Sequence, residues 1–496
     1  MTADLSYHPR TGWNSGGVEA SSDAEVDAAL AAAAAAAPVV AATAPSERAQ
    51  WLYEIAAALD VPSTVDELVT LADEETALGE ARLRMEIART SGQLRYYADV
   101  AVEGSYLDAT IDRQEPGLAR AGVPLGPVAV FGASNFPFAF SVLGTDTASA
   151  LAAGCPVVVK GHPAHPRLSR RLGELTRDAL AGTSAPEGFF GLVTGFEAGA
   201  RLVRSEHTAA VAFTGSQRAG LALWQMANER EVVIPVFAEM GTVNPVVVTP
   251  AATARLAELA EGFVASFTLG TGQYCTKPGL LFVPSGHSAA AIVAEELEKR
   301  APKSWMLTSR IAQDANGGVD ELVAAGATIA GRADGPGEGW AVSATVLEVP
   351  IEKLVSGSRL LEECFGPVVL VAEYENRDQL HAALAQLQGT LTAAVMSTAT
   401  PDDDPDVAET VARLVPLAGR VTVNDWPTGV AITWAQHHGG PWPATTAPAT
   451  TSVGAGALGR FTRPVAYQHV PDAALPPALR EANPWRIPRR IDGVPG

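Results

Sequence analysis

The sequence predicts an α/β protein built from two parallel-sheet units, with a small β hairpin and an irregular C-terminal arm attached. Three observations carry this. Short β-branched runs alternate with helical spans from Val128 to Ala238, as a parallel sheet covered on both faces requires. A second, looser α/β stretch runs from Asn244 to about Ala444. The length of 496 residues exceeds one simple core and implies two or three domains.

Taken in order, Ser21-Ser-Asp-Ala-Glu25 is a helix start, with hydroxyls to cap and acids at the positive dipole end. The spacing of Leu52, Ile55, Leu59, Leu68 and Leu71 predicts two or three helices through to about Tyr97. The alanine run Ala28 to Ala42, broken by Pro38, reads as a surface helix and not a membrane span. From Ser105 to Val123 the pattern turns to alternation about Gln114-Glu-Pro-Gly117, a hairpin.

The first sheet then follows. Its strands are expected at Val128–Phe131, Val157–Lys160, Gly191–Thr194, Ala209–Phe213 and Ile234–Ala238, with helices near 139–153, 167–181 and 218–229. Ligands on such sheets bind beyond the carboxyl ends of the strands, which places Asn135, Lys160, Thr214 to Ser216 and Glu239 along one rim. The run from Pro302 to Gly339 has weak periodicity and many glycines, and no element is assigned there. After Thr445 the chain is proline-rich, with one strand candidate at Pro464–Tyr467.

The apolar share of 47% and charged share of 18% describe a soluble globular chain. A net charge of −20 disfavours nucleic acid and anionic membranes as partners. Three scattered cysteines supply neither a disulfide framework nor a C-x-x-C zinc pair. With no basic or apolar leader in Met1 to Ser15, a cytoplasmic location is expected.

The chemistry centres on Thr268-Leu-Gly-Thr-Gly-Gln-Tyr-Cys275-Thr-Lys-Pro-Gly279. A cysteine in a loop of glycines and hydroxyls has free backbone amides around it and suits nucleophilic attack on a carbonyl; Lys277 nearby suggests a lowered thiol pKa. A buried, inert cysteine is the plain alternative. Thr214-Gly-Ser216, between a strand and a helix, suits a pyrophosphate, and Ser216 caps the helix on either reading. Glu239 at a strand end serves as a general base if apolar neighbours raise its pKa, or as a cap or salt-bridge partner. Asn135 offers an amide to an oxyanion, or simply makes a turn. Lys160 meets a ribose or phosphate, or snorkels. Gly454-Ala-Gly-Ala-Leu-Gly459 matches G-x-G-x-x-G, but no strand precedes it, so it is set aside. His437-His438 and Asp402 to Asp404 lack a third ligand at useful spacing, and no metal site is expected.

In this order Ser134-Asn-Phe-Pro137, Val158-Val-Lys160, Phe213-Thr-Gly-Ser216, Glu239-Met-Gly241, Gly272-Gln-Tyr-Cys275 and Glu363-Cys-Phe-Gly-Pro367 resemble the aldehyde dehydrogenase superfamily. The resemblance implies a Rossmann-like dinucleotide-binding domain over 1–104 and 124–241, a catalytic domain over 242–444, and an oligomerisation hairpin and arm over 105–123 and 445–496. It makes Cys275 the nucleophile and Glu239 the base, with the Asn135 amide and the Cys275 N–H as oxyanion hole. Lys160, with His162 and Pro163, would face the adenosine ribose. Ser134, Gly215, Ser216 and Gly241 would border the dinucleotide. Thr214 and Phe365 would lie by the nicotinamide, and Glu363 would bind its ribose.

The implied reaction is NAD(P)-dependent oxidation of an aldehyde to an acid, through a thiohemiacetal and a thioacyl-enzyme. NAD-selective members often carry a glutamate three residues after the lysine; here Lys160-Gly-His-Pro163 has none, so NADP is expected, with NAD tolerated. A finer match, on Gln273–Pro278, Trp426–Val430, Gly439–Pro443, Thr451–Gly454 and Arg463–Gln468, is to a branch holding α-ketoglutaric semialdehyde (2,5-dioxovalerate) dehydrogenases and an NADP-dependent fatty aldehyde dehydrogenase. A dicarbonyl acid needs a cation, for which Arg460 or Arg463 is the candidate. The alternatives are a medium- or long-chain aldehyde substrate, an acyl-CoA-forming enzyme that needs no base at Glu239, and an inactive binding or structural relative. The resemblance also implies a homodimer or homotetramer.

Overall fold

The computed structural model describes residues 3–114, 117–303 and 305–496. It opens on an antiparallel hairpin absent from the sequence expectation, β1 (Ala3–His8) and β2 (Trp13–Glu19). Four helices follow, one more than the upper expectation: α1 (Asp23–Ala42), α2 (Pro45–Leu59), α3 (Pro62–Thr76) and α4 (Glu80–Glu103). Ser22 and Glu25 form a reciprocal capping box at the start of α1. The helix continues through Pro38, whereas the sequence reading broke it there. By length and composition α1 could cross a membrane; here its Val26, Leu30 and Ala33 pack with Val158, Val193 and Leu202 of the first sheet unit. Leu52 and Ile55 of α2 meet Leu94 and Tyr97 of α4 in the largest core cluster.

Strands β3 (Thr110–Asp112) and β4 (Leu118–Pro124) pair antiparallel, as the hairpin reading requires. Positions 115 and 116, its expected tip, lie outside the described residues. The first large sheet comprises β5 (Val128–Phe131), β6 (Val157–Lys160), β7 (Phe190–Val193), β8 (Ala210–Gly215) and β9 (Val236–Met240), all parallel, in the order β7-β6-β5-β8-β9. Helices α5 (Thr145–Ala153), α6 (Pro166–Ala181), α7 (Phe196–Arg204) and α8 (Gln217–Asn228) connect them. The chain reverses direction across the sheet between β5 and β8, and a crevice opens beyond their carboxyl ends. Helix α5 starts six residues later than Ala139, because 132–144 folds into a tight loop. A Cβ on Gly132 would stand 2.5 Å from Ser141 Cα, and one on Gly144 2.6 Å from Phe140 Cα. Pro137 also disfavours helical backbone at Phe136.

The second sheet has seven strands: β10 (Pro245–Val248), β11 (Leu280–Pro284), β12 (Thr328–Ala333), β13 (Ala344–Glu348), β14 (Val368–Tyr374), β15 (Thr390–Met396) and β16 (Ala418–Val423). Their order is β12-β13-β14-β11-β10-β15-β16, parallel except for β12 against β13. Helices α9 (Leu256–Thr268), α10 (Ala289–Arg300), α11 (Ser309–Ala324), α12 (Arg377–Leu384) and α13 (Val407–Leu414) accompany it. The unassigned stretch thus holds α11 and β12. Gly317 and Gly318 masked the helix, yet Gly318 is needed, since a Cβ there would lie 2.7 Å from Cys364 Sγ. Asp404 caps neighbouring backbone and accepts from Thr249 and Ser397. A third sheet, in the order β17-β4-β3-β18-β19, adds β17 (Thr462–Gln468), β18 (Arg490–Ile491) and β19 (Val494–Pro495) to the hairpin. Gly454–Gly459 falls in an irregular 3₁₀ turn, away from any strand end.

Candidate active site

A cavity of about 1020 Å³ lies where the carboxyl ends of the first sheet face the loop between α9 and β11. It is lined by Ser134, Asn135, Lys160, His162, Pro163, Thr214, Gly215, Ser216, Glu239, Gly241, Cys275, Glu363 and Phe365. Residues read off six separate stretches of sequence therefore share one space. Arg460 and Arg463 do not line it.

The Cys275 loop is held from below. Asn244, fully buried and at φ 55°, donates its amide to the carbonyls of Cys275 at 2.7 Å and Lys277 at 3.0 Å. Its Oδ1 accepts from Thr242 and Thr390 hydroxyls and from the Thr392 N–H. Lys277 points away from the thiol: its Nζ donates to the carbonyls of Cys364 (3.1 Å) and Val368 (2.7 Å). It therefore ties the cysteine loop to the Glu363 loop and does not activate the sulfur. The expected lowering of the thiol pKa is corrected. Burial first, then the negative charges of Glu239 and Glu363, push Cys275 up to about 12.

Beside that sulfur stands a residue the sequence reading set aside. His438 Nε2 lies 3.6 Å from Cys275 Sγ and 3.2 Å from Glu239 Oε2. Its ring is buried and its backbone is pinned by Thr451 and Ser452. Burial, helped by Arg420, lowers its pKa to about 3, so the ring is neutral. Glu239, opposite, is raised to about 8, chiefly by burial. The pair His437-His438 was visible as a doublet, but nothing in its spacing pointed to Cys275, from which His438 is separated by 163 residues.

Asn135 Nδ2 donates to the carbonyl of Gln273 at 2.7 Å, and Arg82 Nη2 donates to the Asn135 carbonyl at 2.6 Å. The amide carries two N–H groups, so one bond holds its plane and leaves it a second N–H to donate. Ser216 caps α8, its Oγ accepting from the Ala219 N–H. Lys160 is pulled below its usual pKa by burial. His162 Nδ1 accepts from the Ala164 N–H at 3.1 Å, which leaves the ring proton on Nε2.

These residues fit a bound dinucleotide. Glu363 Oε1 is buried and has no protein partner, as expected of a carboxylate kept for hydroxyl donors. Its carboxylate rests on Gly241, where a Cβ would stand 2.0 Å from Oε2. Burial raises Glu363 to about 7, against the pull of Lys277 and Arg359.

Arg460 is placed differently from the expectation. It is buried, ion-paired with Asp146, and stacked over Phe461 at 4.9 Å. Arg463 sits on exposed β17, paired in register with Val123. Neither can meet a substrate carboxylate in the cavity.

Comparison with known proteins agrees with this architecture. Residues 4–441 match the model of the aldehyde dehydrogenase family. The chain is 43% identical over 470 residues to alpha-ketoglutaric semialdehyde dehydrogenase 2 of Azospirillum brasilense, covering 90% of this chain and 88% of that protein. It is 37% identical over 465 residues to alpha-ketoglutaric semialdehyde dehydrogenase of Acinetobacter baylyi, covering 91% and 88%. Among solved structures, an NAD-dependent aldehyde dehydrogenase from Sinorhizobium meliloti superposes with a TM-score of 0.80 at 23% identity, over 95% of this chain and 92% of that one.

Proposed function

The chain belongs to the aldehyde dehydrogenase family and oxidises an aldehyde to the carboxylic acid with NAD(P); from that premise we propose that its substrate is α-ketoglutaric semialdehyde (2,5-dioxopentanoate), oxidised to 2-oxoglutarate, with NADP preferred over NAD. The observation that carries the chemistry is the line Cys275–His438–Glu239 on the cavity wall. The two α-ketoglutaric semialdehyde dehydrogenases that match over about nine-tenths of the chain support the substrate.

Cys275 Sγ adds to the aldehyde carbon, and its proton passes to Nε2 of neutral His438. The oxyanion is met by the free N–H of Asn135 and the backbone N–H of Cys275. Lys160, Ser216 and Glu363 would hold the dinucleotide, whose nicotinamide would supply the hydride acceptor for this oxidation. Glu239, as carboxylate, then takes a proton from water, which attacks the thioester and releases the acid from Cys275.

The missing carboxylate at position 163, together with the Nε2–H of His162 and the ammonium of Lys160, supports room for a 2′-phosphate. The apolar walls formed by Phe136, Phe140 and Val430 favour a second reading, a medium- or long-chain fatty aldehyde. One panel decides both matters: 2,5-dioxopentanoate and hexanal, each assayed with NAD and with NADP. Higher kcat/KM for hexanal would overturn the substrate reading; higher kcat/KM with NAD would overturn the cofactor reading.

The protein is further proposed to work as a homodimer or homotetramer, because β17 is an edge strand with an open ladder; light scattering in solution tests this. Free thiols at Cys155, Cys275 and Cys364 support a reducing, cytoplasmic setting.

A further inference from the structure

The cavity holds an arginine whose best hydrogen-bonding edge meets no protein acceptor. Arg89, on α4, lines the cavity together with Phe140, Tyr274 and Cys275. Its Nε and Nη2 are buried and donate to nothing among the described residues. Those two atoms form one side of the guanidinium, the side that takes both oxygens of a carboxylate. The nearest carboxylate along the helix makes no ion pair with Arg89: Glu86 Oε1 accepts the N–H groups of Phe138 (2.9 Å) and Ala139 (3.0 Å), and its Oε2 faces Arg82 at 4.0 Å. Phe140 backs the guanidinium at 5.5 Å and limits its swing.

The other arginines lining the cavity are committed, and Arg82, whose Nη1 also meets no acceptor among the described residues, does not line it. Arg82 donates to Asn135 and lies between the Phe136 and Tyr274 rings, at 5.0 Å from each. Arg420 donates to the carbonyls of Gly429 and Pro427. Arg359 and Arg310, at the rim, pair with Glu321 and Asp314. A buried cation without an acceptor is costly, and an anionic ligand group removes that cost.

We propose that Arg89 is the subsite for the substrate's carboxylate, binding it side-on through Nε and Nη2 while the aldehyde carbon at the other end of the molecule meets Cys275. The site then selects aldehydes that carry a carboxylate a few carbons away. This rests on the substrate reading above and assigns it the cation that Arg460 and Arg463 do not supply.

The test is the kcat/KM ratio of 2,5-dioxopentanoate to hexanal in wild type, Arg89→Met and Arg89→Lys, with succinic semialdehyde as a third substrate. Losing a charge-assisted, two-point contact should lower the ratio roughly 10- to 100-fold in Arg89→Met, mostly through KM. Lysine should restore only part, as a point charge without the forked edge. Calorimetric titration with the product, 2-oxoglutarate, should show about tenfold weaker binding to Arg89→Met, independent of turnover. A ratio unchanged in Arg89→Met, or an equal fall in kcat on both substrates, would overturn the assignment. If wild type prefers succinic semialdehyde over both others and Arg89→Met abolishes that preference, Arg89 stands and the 2,5-dioxopentanoate reading falls.

Discussion

His438 Nε2 stands 3.6 Å from the Sγ of Cys275. A thiol pushed up to about 12 by burial and by two carboxylates cannot ionise unaided near neutrality. The neutral imidazole is in contact with it and, its own pKa being lowered to about 3, takes the proton only in concert with carbon–sulfur bond formation. Replacing His438 by Gln should therefore lower kcat about 100-fold and slow alkylation of Cys275 by iodoacetamide at pH 8. A His438→Gln enzyme alkylated at the parental rate would remove the histidine from the mechanism.

In the proposed mechanism Glu239 acts on the thioester only as a carboxylate. Its pKa is raised to about 8, so it is protonated and idle below that pH and becomes competent above it. The hydrolysis step should rise with pH, reaching half its maximum near pH 8. In Glu239→Gln that dependence should vanish, leaving a stoichiometric burst of reduced cofactor followed by slow turnover. Stopped-flow absorbance reads both; steady turnover without a burst in the variant would count against a base at this position.

Gly241 exists to seat Glu363. A methyl group there would stand 2.0 Å from Oε2, so Gly241→Ala must displace the carboxylate. The expected result is at least a roughly tenfold higher KM for the cofactor, the loss of a charged hydrogen-bond acceptor. Equilibrium binding of the dinucleotide by fluorescence titration would show it, and unchanged affinity would refute the seating role.

Arg460 belongs to the framework. Its ion pair with Asp146 is buried beside Phe237 and Phe461, and breaking such a pair leaves a lone buried charge at about 3–5 kcal/mol. Arg460→Met should lose stability of that order in urea unfolding. A stable variant with a selectively raised KM for the oxo-acid would return Arg460 to the substrate site.

Much of the fold was legible because its elements announce themselves locally. The runs at Val128–Phe131 and Val157–Lys160 are strands in the structure with the expected bounds, since three or four consecutive buried apolar residues suit a covered parallel strand. The helix at 309–324 was not legible, because Gly317 and Gly318 break its apolar spacing, Gly318 for the sake of close packing against Cys364. The start of α5 was missed because the loop at 132–144 is shaped by backbone contacts across it, invisible to periodicity.

By itself the sequence determined the class of the fold, the loop that presents Cys275 and the strand end that presents Glu239, because these depend on neighbours along the chain. Only the tertiary structure decided that His438 reaches both of them, that Arg460 is occupied by Asp146, and that Arg89 faces the cavity with its donors free. The physical reason is that the proton affinity of a buried group and the freedom of a buried charge are set by what packs around it, and that packing joins segments far apart in the chain.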